Sequence, residues 1–348
     1  MRVSVIIPTY RRAQYLRDAV ASVMAQDFPR DEYEILVVDN APQPTPELAS
    51  LCDSLQSPPV RYVHEPRNGL HHARHAGAKR ARGDILVYVD DDIRATSGWL
   101  AALCRPFATA PVGVVGGRIC PEWDVEPPEW IRTFSPGYLS LLDLGDSRLE
   151  LTWPQQVYGC NLAVRKSVLF DVGGFHPDSF ADPGMRWYRG DGETGLLRKV
   201  YAAGHGVWYE PAACVRHRIS AARLTPAYFE RRAFNQGISD SFTAYRARYY
   251  PLHEYEMPRR GRFALGNGRL PRMARLAAGC LRGNAAAWIG VRVRFAYLRG
   301  RIGHTVRLML SLRLRRYLRR ENFISDQDAF TSPARRSQTA CEEGCCGL

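Results

Sequence analysis

Three consecutive acids, Asp90-Asp91-Asp92, end the apolar run Ile85-Leu86-Val87-Tyr88-Val89. Carboxylates at the edge of a buried strand are costly unless they hold something positive. Asp90 and Asp92 form an Asp-x-Asp pair of hard oxygen ligands, suited to Mg2+ or Mn2+. Such a cation is commonly held by one or two carboxylates plus substrate phosphates, so the pattern points to nucleoside-diphosphate chemistry. Three acids in isolation would read as an acidic turn after a strand. Their surroundings reverse that reading.

The elements that must position them alternate strand and helix. Val3–Ile7, Glu34–Val38, Val60–Val63 and Ile85–Val89 are predicted strands. Helices are predicted over Arg11–Ala25, around Leu48–Leu55 and over Gly69–Arg82. This order argues for a parallel sheet of βαβ units, in which ligands bind outside the carboxyl ends of the strands. Pro8-Thr9-Tyr10-Arg11, Asp39, Arg67-Asn68-Gly69 and Asp90–Asp92 then share one edge. An Asp after the second strand suits a base or ribose, and Arg74 can offset phosphate charge. No Gly-x-Gly-x-x-Gly and no Gly-x-x-x-x-Gly-Lys-Ser/Thr loop is present, which excludes the usual dinucleotide site and the P-loop.

With 348 residues, 45% hydrophobic and 24% charged, the chain has the composition of a globular protein long enough for two or three domains. The first strand begins almost at Met1, so no signal peptide is expected, and no run reaches the ~18 apolar residues of a spanning helix. Nine scattered Cys without a Cys-x-x-Cys unit read as free thiols, and the terminal Cys-Cys-Gly-Leu is a poor prenylation box. A cytoplasmic protein is expected.

The strand-end motifs resemble a known family. Val3-Ser4-Val5-Ile6-Ile7-Pro8-Thr9-Tyr10-Arg11-Arg12, Glu34-Ile35-Leu36-Val37-Val38-Asp39-Asn40, Arg67-Asn68-Gly69-Leu70, Ala73-Arg74 and Gly83-Asp84 running into the acids are similar to family 2 glycosyltransferases with a GT-A fold. Gly173-Gly174-Phe175 and Glu210–His217 resemble that family's later motifs, so the likeness spans about 1–235. It implies a Rossmann-like, mostly parallel α/β sheet flanked by helices. The implied domains are a nucleotide-sugar-binding half over 1–116 and an acceptor-binding and catalytic half over 117–235. By the resemblance, Pro8, Thr9, Tyr10, Arg11, Asp39, Asn68, Arg74, Asp90 and Asp91 hold the nucleotide. Asp92 is the direct Mg2+ or Mn2+ ligand, with His217 either completing the metal site or touching the diphosphate. Gly159 and Asn161 belong to a turn near the donor sugar, and Trp187 is the first choice to stack on a sugar.

The family's reaction inverts the anomeric centre in one displacement, with a carboxylate taking the acceptor's proton. Its usual acidic pair before a helix is altered here to Asp191-Gly192-Glu193. Counting back from Gly204 puts Glu193 in the base's place, with Asp191 the alternative. Helix capping accounts equally for both acids. The resemblance implies a nucleotide-sugar donor, first a UDP-sugar, and a carbohydrate or lipid-linked acceptor, in cell-surface polysaccharide or glycolipid synthesis. The rival readings are a sugar nucleotidyltransferase and a non-catalytic, Arg-rich binding protein on a degenerate transferase scaffold.

The net charge of +13 is concentrated. Residues 257–320 hold 17 Arg and no Asp, Glu or Lys, so the rest of the chain is net acidic. A helical Arg-rich extension is expected over 236–320 and a disordered tail over 321–348. Val291, Phe295, Leu298, Ile302, Val306 and Met309 recur at helical spacing beside the arginines. This stretch reads either as a helix lying on an anionic membrane surface, peripheral on the inner face of the cell membrane, or as a packed appendage with solvated arginines. Nucleic acid is not the expected partner.

Overall fold

The computed structural model describes residues 2–250 and 284–325. Four strands come first: β1 (Val3–Thr9), β2 (Tyr33–Asp39), β3 (Val60–His64) and β4 (Ile85–Val89). They pair in parallel in the order β3-β2-β1-β4. Between them run α1 (Ala13–Met24), α2 (Pro46–Asp53) and α3 (Leu70–Arg80). Helix α2 starts earlier than expected because Pro46 presets the first helical φ.

Two-residue periodicity builds a core on each side of the sheet. Val5, Ile7 and Val37 pack with Leu16 and Val20 of α1. Ile6, Leu36 and Tyr88 point the other way, with Ala73 and Ala76 of α3 and with Phe175.

Beyond β4 the sheet turns mixed, within the expected α/β GT-A architecture. The remaining strands are β5 (Ile93–Ala95), β6 (Val112–Trp123), β7 (Leu149–Leu151), β8 (Asn161–Arg165) and β9 (Gly206–Ile219). The order continues β4-β8-β6-β9-β5, with β7 also on β9. Strand β8 follows the irregular 124–160 stretch instead of a crossover helix, and it runs antiparallel to both β4 and β6. Strand β6 crosses residues 116 and 117, so the expected domain limit falls inside an element of one continuous sheet.

Helices α4 (Trp99–Thr109), α5 (Lys166–Asp171) and α6 (Gly192–Ala202) flank this second half. The C-terminal layer comprises α7 (Pro226–Arg246), α8 (Ala285–Leu310) and α9 (Leu312–Leu318). Helix α7 spans the other expected limit at 235/236. It meets α8 backbone to backbone: a Cβ on Gly237 would strike the Tyr297 carbonyl oxygen, and one on Gly300 the Phe234 carbonyl oxygen. Arg246, buried, donates to the carbonyls of Leu318 and Arg320 at 2.5 and 2.6 Å and so closes the end of α9. Past α9 the chain is anchored, not disordered as expected: Phe323 N donates to Gly173 O at 3.0 Å, and Phe323 and Ile324 are buried. Residues 257–283 of the Arg-rich stretch and 326–348 of the expected tail lie outside the described residues.

Candidate active site

The three acids diverge at the end of β4. The Asp90 side chain is 34% exposed, while those of Asp91 and Asp92 are 7% exposed. Asp91 turns inward: its Oδ2 accepts from Thr9 Oγ1 at 2.8 Å and its Oδ1 from Arg12 at 3.3 Å. Both oxygens tie β4 to the end of β1, which corrects the expectation that Asp91 holds nucleotide directly. Burial, reinforced by Asp92, raises the Asp91 carboxyl to about 6 despite Arg12.

Asp92 is crowded by cations. Its Oδ2 accepts from Arg223 at 2.5 Å and from Arg12 at 3.1 Å. Burial alone would push this carboxyl up. The adjoining His217 and the Arg223 and Arg12 guanidiniums outweigh it and hold Asp92 well below the usual carboxylate range. His217 Nε2 lies 2.7 Å from an Arg223 nitrogen. Nε2 also lies 3.3 Å from Asp92 Oδ1, a buried oxygen with no hydrogen-bond partner.

Asp92 and His217 thus face each other, with Arg223 against both. A buried carboxylate oxygen suits Mg2+ or Mn2+, and His217 Nε2 would join it only with Arg223 displaced. Among the described residues no group of three or more His, Cys, Asp or Glu forms a cage.

A second constellation joins the two halves of the sheet. Arg74 of α3, buried, lies 3.6 Å from Asp90 Oδ1 and 3.7 Å from Glu193 Oε2. Its guanidinium sits over the Phe175 ring at 5.0 Å. Burial opposes the charge on Arg74, but Glu193, Asp90 and Asp178 more than offset it and raise its pKa. Gly159 makes this possible, because a Cβ there would occupy the space of the Arg74 guanidinium. Glu193 stands in the first turn of α6, where the helix dipole favours an acid. Burial raises its pKa against the pull of Arg74.

Asp191 precedes α6 but makes no capping bond with its side chain. Its Oδ1 is 2.5 Å from His176 Nδ1 and its Oδ2 2.5 Å from Thr243 Oγ1 of α7. Burial alone would raise this carboxyl; His176, Thr243 and Arg198 overcome it and bring it down to about 2. Its side chain is 4% exposed against 23% for Glu193. Of the two acids, only Glu193 joins Arg74 and Asp90.

The other expected site residues scatter. Pro8, within β1, is buried. Tyr10 and Arg11 follow it, with Arg11 at φ 55° and its guanidinium 5.4 Å from the Tyr10 ring centroid. The acids are reached by Arg12 instead. Asp39 is fully buried and shapes the loop after β2, accepting from Ala41 N, Thr45 N and Tyr62 OH at 2.8–3.0 Å. Asn68 Oδ1 accepts from Ala181 N at 2.9 Å.

Asn161 is a correction. It is wholly buried, donating to Arg118 O and Ala213 O and accepting from Trp99 Nε1, so it staples the irregular β6–β9 pairing and presents nothing to a sugar. Trp187 packs on the C-terminal layer, with Arg307 of α8 3.8 Å over its ring and Phe234 of α7 edge-on. Arg12 and Arg223 carried no spacing signal in the sequence. Arg12 was one of two adjacent arginines, and Arg223 lies in a short 3-10 turn after β9.

The family model described as Glycosyl transferase family 2 matches residues 4–173, from β1 through the acid cluster to the Gly173 turn. Residues 4–173 belong to that family. As a family 2 glycosyltransferase the chain is an enzyme acting on nucleotide sugars, and its Glu193 and His217 lie beyond the matched segment. Two curated relatives extend the likeness. The glucosyl-dolichyl phosphate glucuronosyltransferase of Haloferax volcanii is 25% identical over 69% of this chain and 76% of its own. The succinoglycan biosynthesis protein ExoM of Rhizobium meliloti is 25% identical over 68% and 73%. In fold, this glycosyltransferase is similar to a mannosyltransferase of Pyrobaculum calidifontis solved with GDP-Man and Mn2+. That likeness has a TM-score of 0.53 and 22% identity, covering 91% of this chain and 84% of that one. The GT-A architecture agrees with the mixed sheet described above.

Proposed function

We propose that this chain is a metal-dependent, inverting glycosyltransferase. It would move a sugar from a nucleoside diphosphate to a hydroxyl of a carbohydrate or lipid-linked acceptor, in cell-surface polysaccharide or glycolipid synthesis. The observation that carries this reading is the contrast between the two acids of the α6 loop. Glu193 is partly open, paired with Arg74 and raised in pKa, which suits a carboxylate that must accept a proton. Asp191 is enclosed by His176 and Thr243 and held at about 2, which suits a loop support.

Glu193 takes the acceptor's proton as the acceptor oxygen bonds to the anomeric carbon. The bond from that carbon to the diphosphate oxygen breaks on the opposite face, and the configuration inverts. Arg74 holds Glu193 and Asp90 in one frame, so base and donor site keep their spacing. Asp92 and His217 would hold Mg2+ or Mn2+, whose chemistry is to offset charge on the departing diphosphate. The acceptor class rests on relatives named for a dolichyl phosphate substrate and for succinoglycan.

The test is release of nucleoside diphosphate across a panel of sugar nucleotides, UDP-sugars first, with Mn2+ present or chelated. Glu193→Gln is expected to lower turnover at least ~10²-fold while nucleotide binding, read by calorimetry, is kept. Full activity in that variant removes Glu193 from the role.

A further inference from the structure

Helix α8 is apolar on two opposite faces, and only one of them is covered. Ile289, Val293, Ala296, Gly300 and His304 are buried against α7 and its neighbours. On the far side, Trp288, Val291, Phe295, Leu298, Ile302 and Met309 fall within an arc of roughly 80° on a helix of about 3.6 residues per turn. Trp288, Phe295, Ile302 and Met309 are 54%, 68%, 60% and 69% exposed. Seven of the eleven exposed large hydrophobic side chains among the described residues lie on α8, between Trp288 and Leu310. So strong a concentration on one helix marks an interaction face.

Its borders say what it meets. Arg292 and Arg299 flank the stripe on one side and Arg294 and Arg301 on the other. Residues 284–320 contain ten Arg and no acidic residue. A second copy docking stripe to stripe would bring arginine rows together, and Arg292 is already paired within the chain, with Glu230 at 2.7 Å. Residues 257–283 add seven Arg and again no acid. An apolar stripe between basic rows matches a bilayer interface, with acyl chains under the stripe and anionic headgroups beside the arginines.

We propose that α8 lies in the plane of an anionic membrane, its Phe295–Ile302–Met309 stripe in the headgroup–acyl boundary. The proposal deepens the reading of a lipid-linked acceptor and gives the site a fixed relation to the surface. Helix α8 packs on α7, and α7 holds the catalytic loop through Thr243 to Asp191 and Ser239 to Gly190 O. Ser241 of α7 and Thr305 of α8 share a hydrogen bond of 2.9 Å. The membrane-facing helix is thus one layer behind Glu193.

The experiment is co-sedimentation of the full chain with vesicles, in the absence of donor and acceptor. Binding is expected to phosphatidylglycerol-containing vesicles and not to phosphatidylcholine alone, and to weaken with salt. Phe295→Ser/Ile302→Ser/Met309→Ser and, separately, Arg294→Glu/Arg299→Glu should each reduce it about ten-fold or more. An unchanged thermal midpoint in both variants shows that the fold is kept. No binding by the parent chain, or binding untouched by the triple substitution, overturns the proposal. So does a parent dimer that the triple substitution converts to monomer without any vesicle binding. Because sedimentation needs no turnover, failure here leaves glycosyl transfer standing. Transfer that fails while vesicle binding persists overturns only the reading of the site.

Discussion

In the proposed mechanism a base and its leaving-group site must be held at a fixed spacing, and one guanidinium contacts the residues assigned to both. Arg74 is buried beside Gly159, with no room to retreat. Gly159→Ala should therefore push the guanidinium away from Asp90 and Glu193, lowering kcat about 10- to 100-fold with a smaller change in nucleotide affinity. Steady-state kinetics beside a nucleotide titration would check it, and an unaltered kcat would mean that Arg74 does not set the spacing. Strand-end position and motif order pointed from the sequence to Asp90, Arg74 and Glu193. Arg12 and Arg223 were hidden, since each reaches the acids across the fold from positions about 80 and 131 residues away. The sequence also could not separate Glu193 from Asp191. That distinction depends on His176 and Thr243, 15 residues before and 52 after Asp191, which close around one carboxylate and leave the other open.

At the scale of elements, the first four strands were legible because each is a short β-branched run between turn signals. The second half was not. Strand β8 carries no mark of its direction, and the β6–β9 irregularity is settled by Asn161, which looked like a sugar ligand by its motif. Helix α8 misled in another way: the periodic residues seen in the sequence are its outer stripe, while its packed face uses Ala296, Gly300 and His304. The close approach of α7 and α8 rests on Gly237 and Gly300, each against a carbonyl oxygen that cannot rotate aside. Gly300→Ala should force the helices apart and destabilise the fold by about 1–3 kcal/mol, more than any gain in helix propensity of about 1 kcal/mol. Urea denaturation of the two proteins would measure it. A midpoint equal to or above that of the parent would show that the contact is not tight.

At the scale of the whole molecule, the same packing that closes the two halves together buries histidines as neutral groups. Burial, aided by neighbouring cations, holds His71 and His75 well below the ordinary value and brings His72 and His304 to about 4. His176 is brought to about 3 by burial, against the pull of Asp191. A histidine whose folded pKa is depressed takes up its proton more readily when unfolded. Its stabilising effect is therefore complete above about 6.5 and is lost as pH falls from there toward the folded value. Between pH 6.5 and 5 each such group costs up to about 2 kcal/mol, at 1.36 kcal/mol per unit. Asp91, Glu193 and Asp240, with raised values, act in the opposite sense, but they are three groups against five. Asp191, held at about 2, keeps its contribution until the pH drops below about 4. The metal-free protein should accordingly lose thermal midpoint between pH 7 and 5, before ordinary carboxylates titrate, with a second loss below pH 4. Calorimetric midpoints across that range would show it, and a flat profile from pH 7 to 5 would mean that the histidines gain access to water in the folded state.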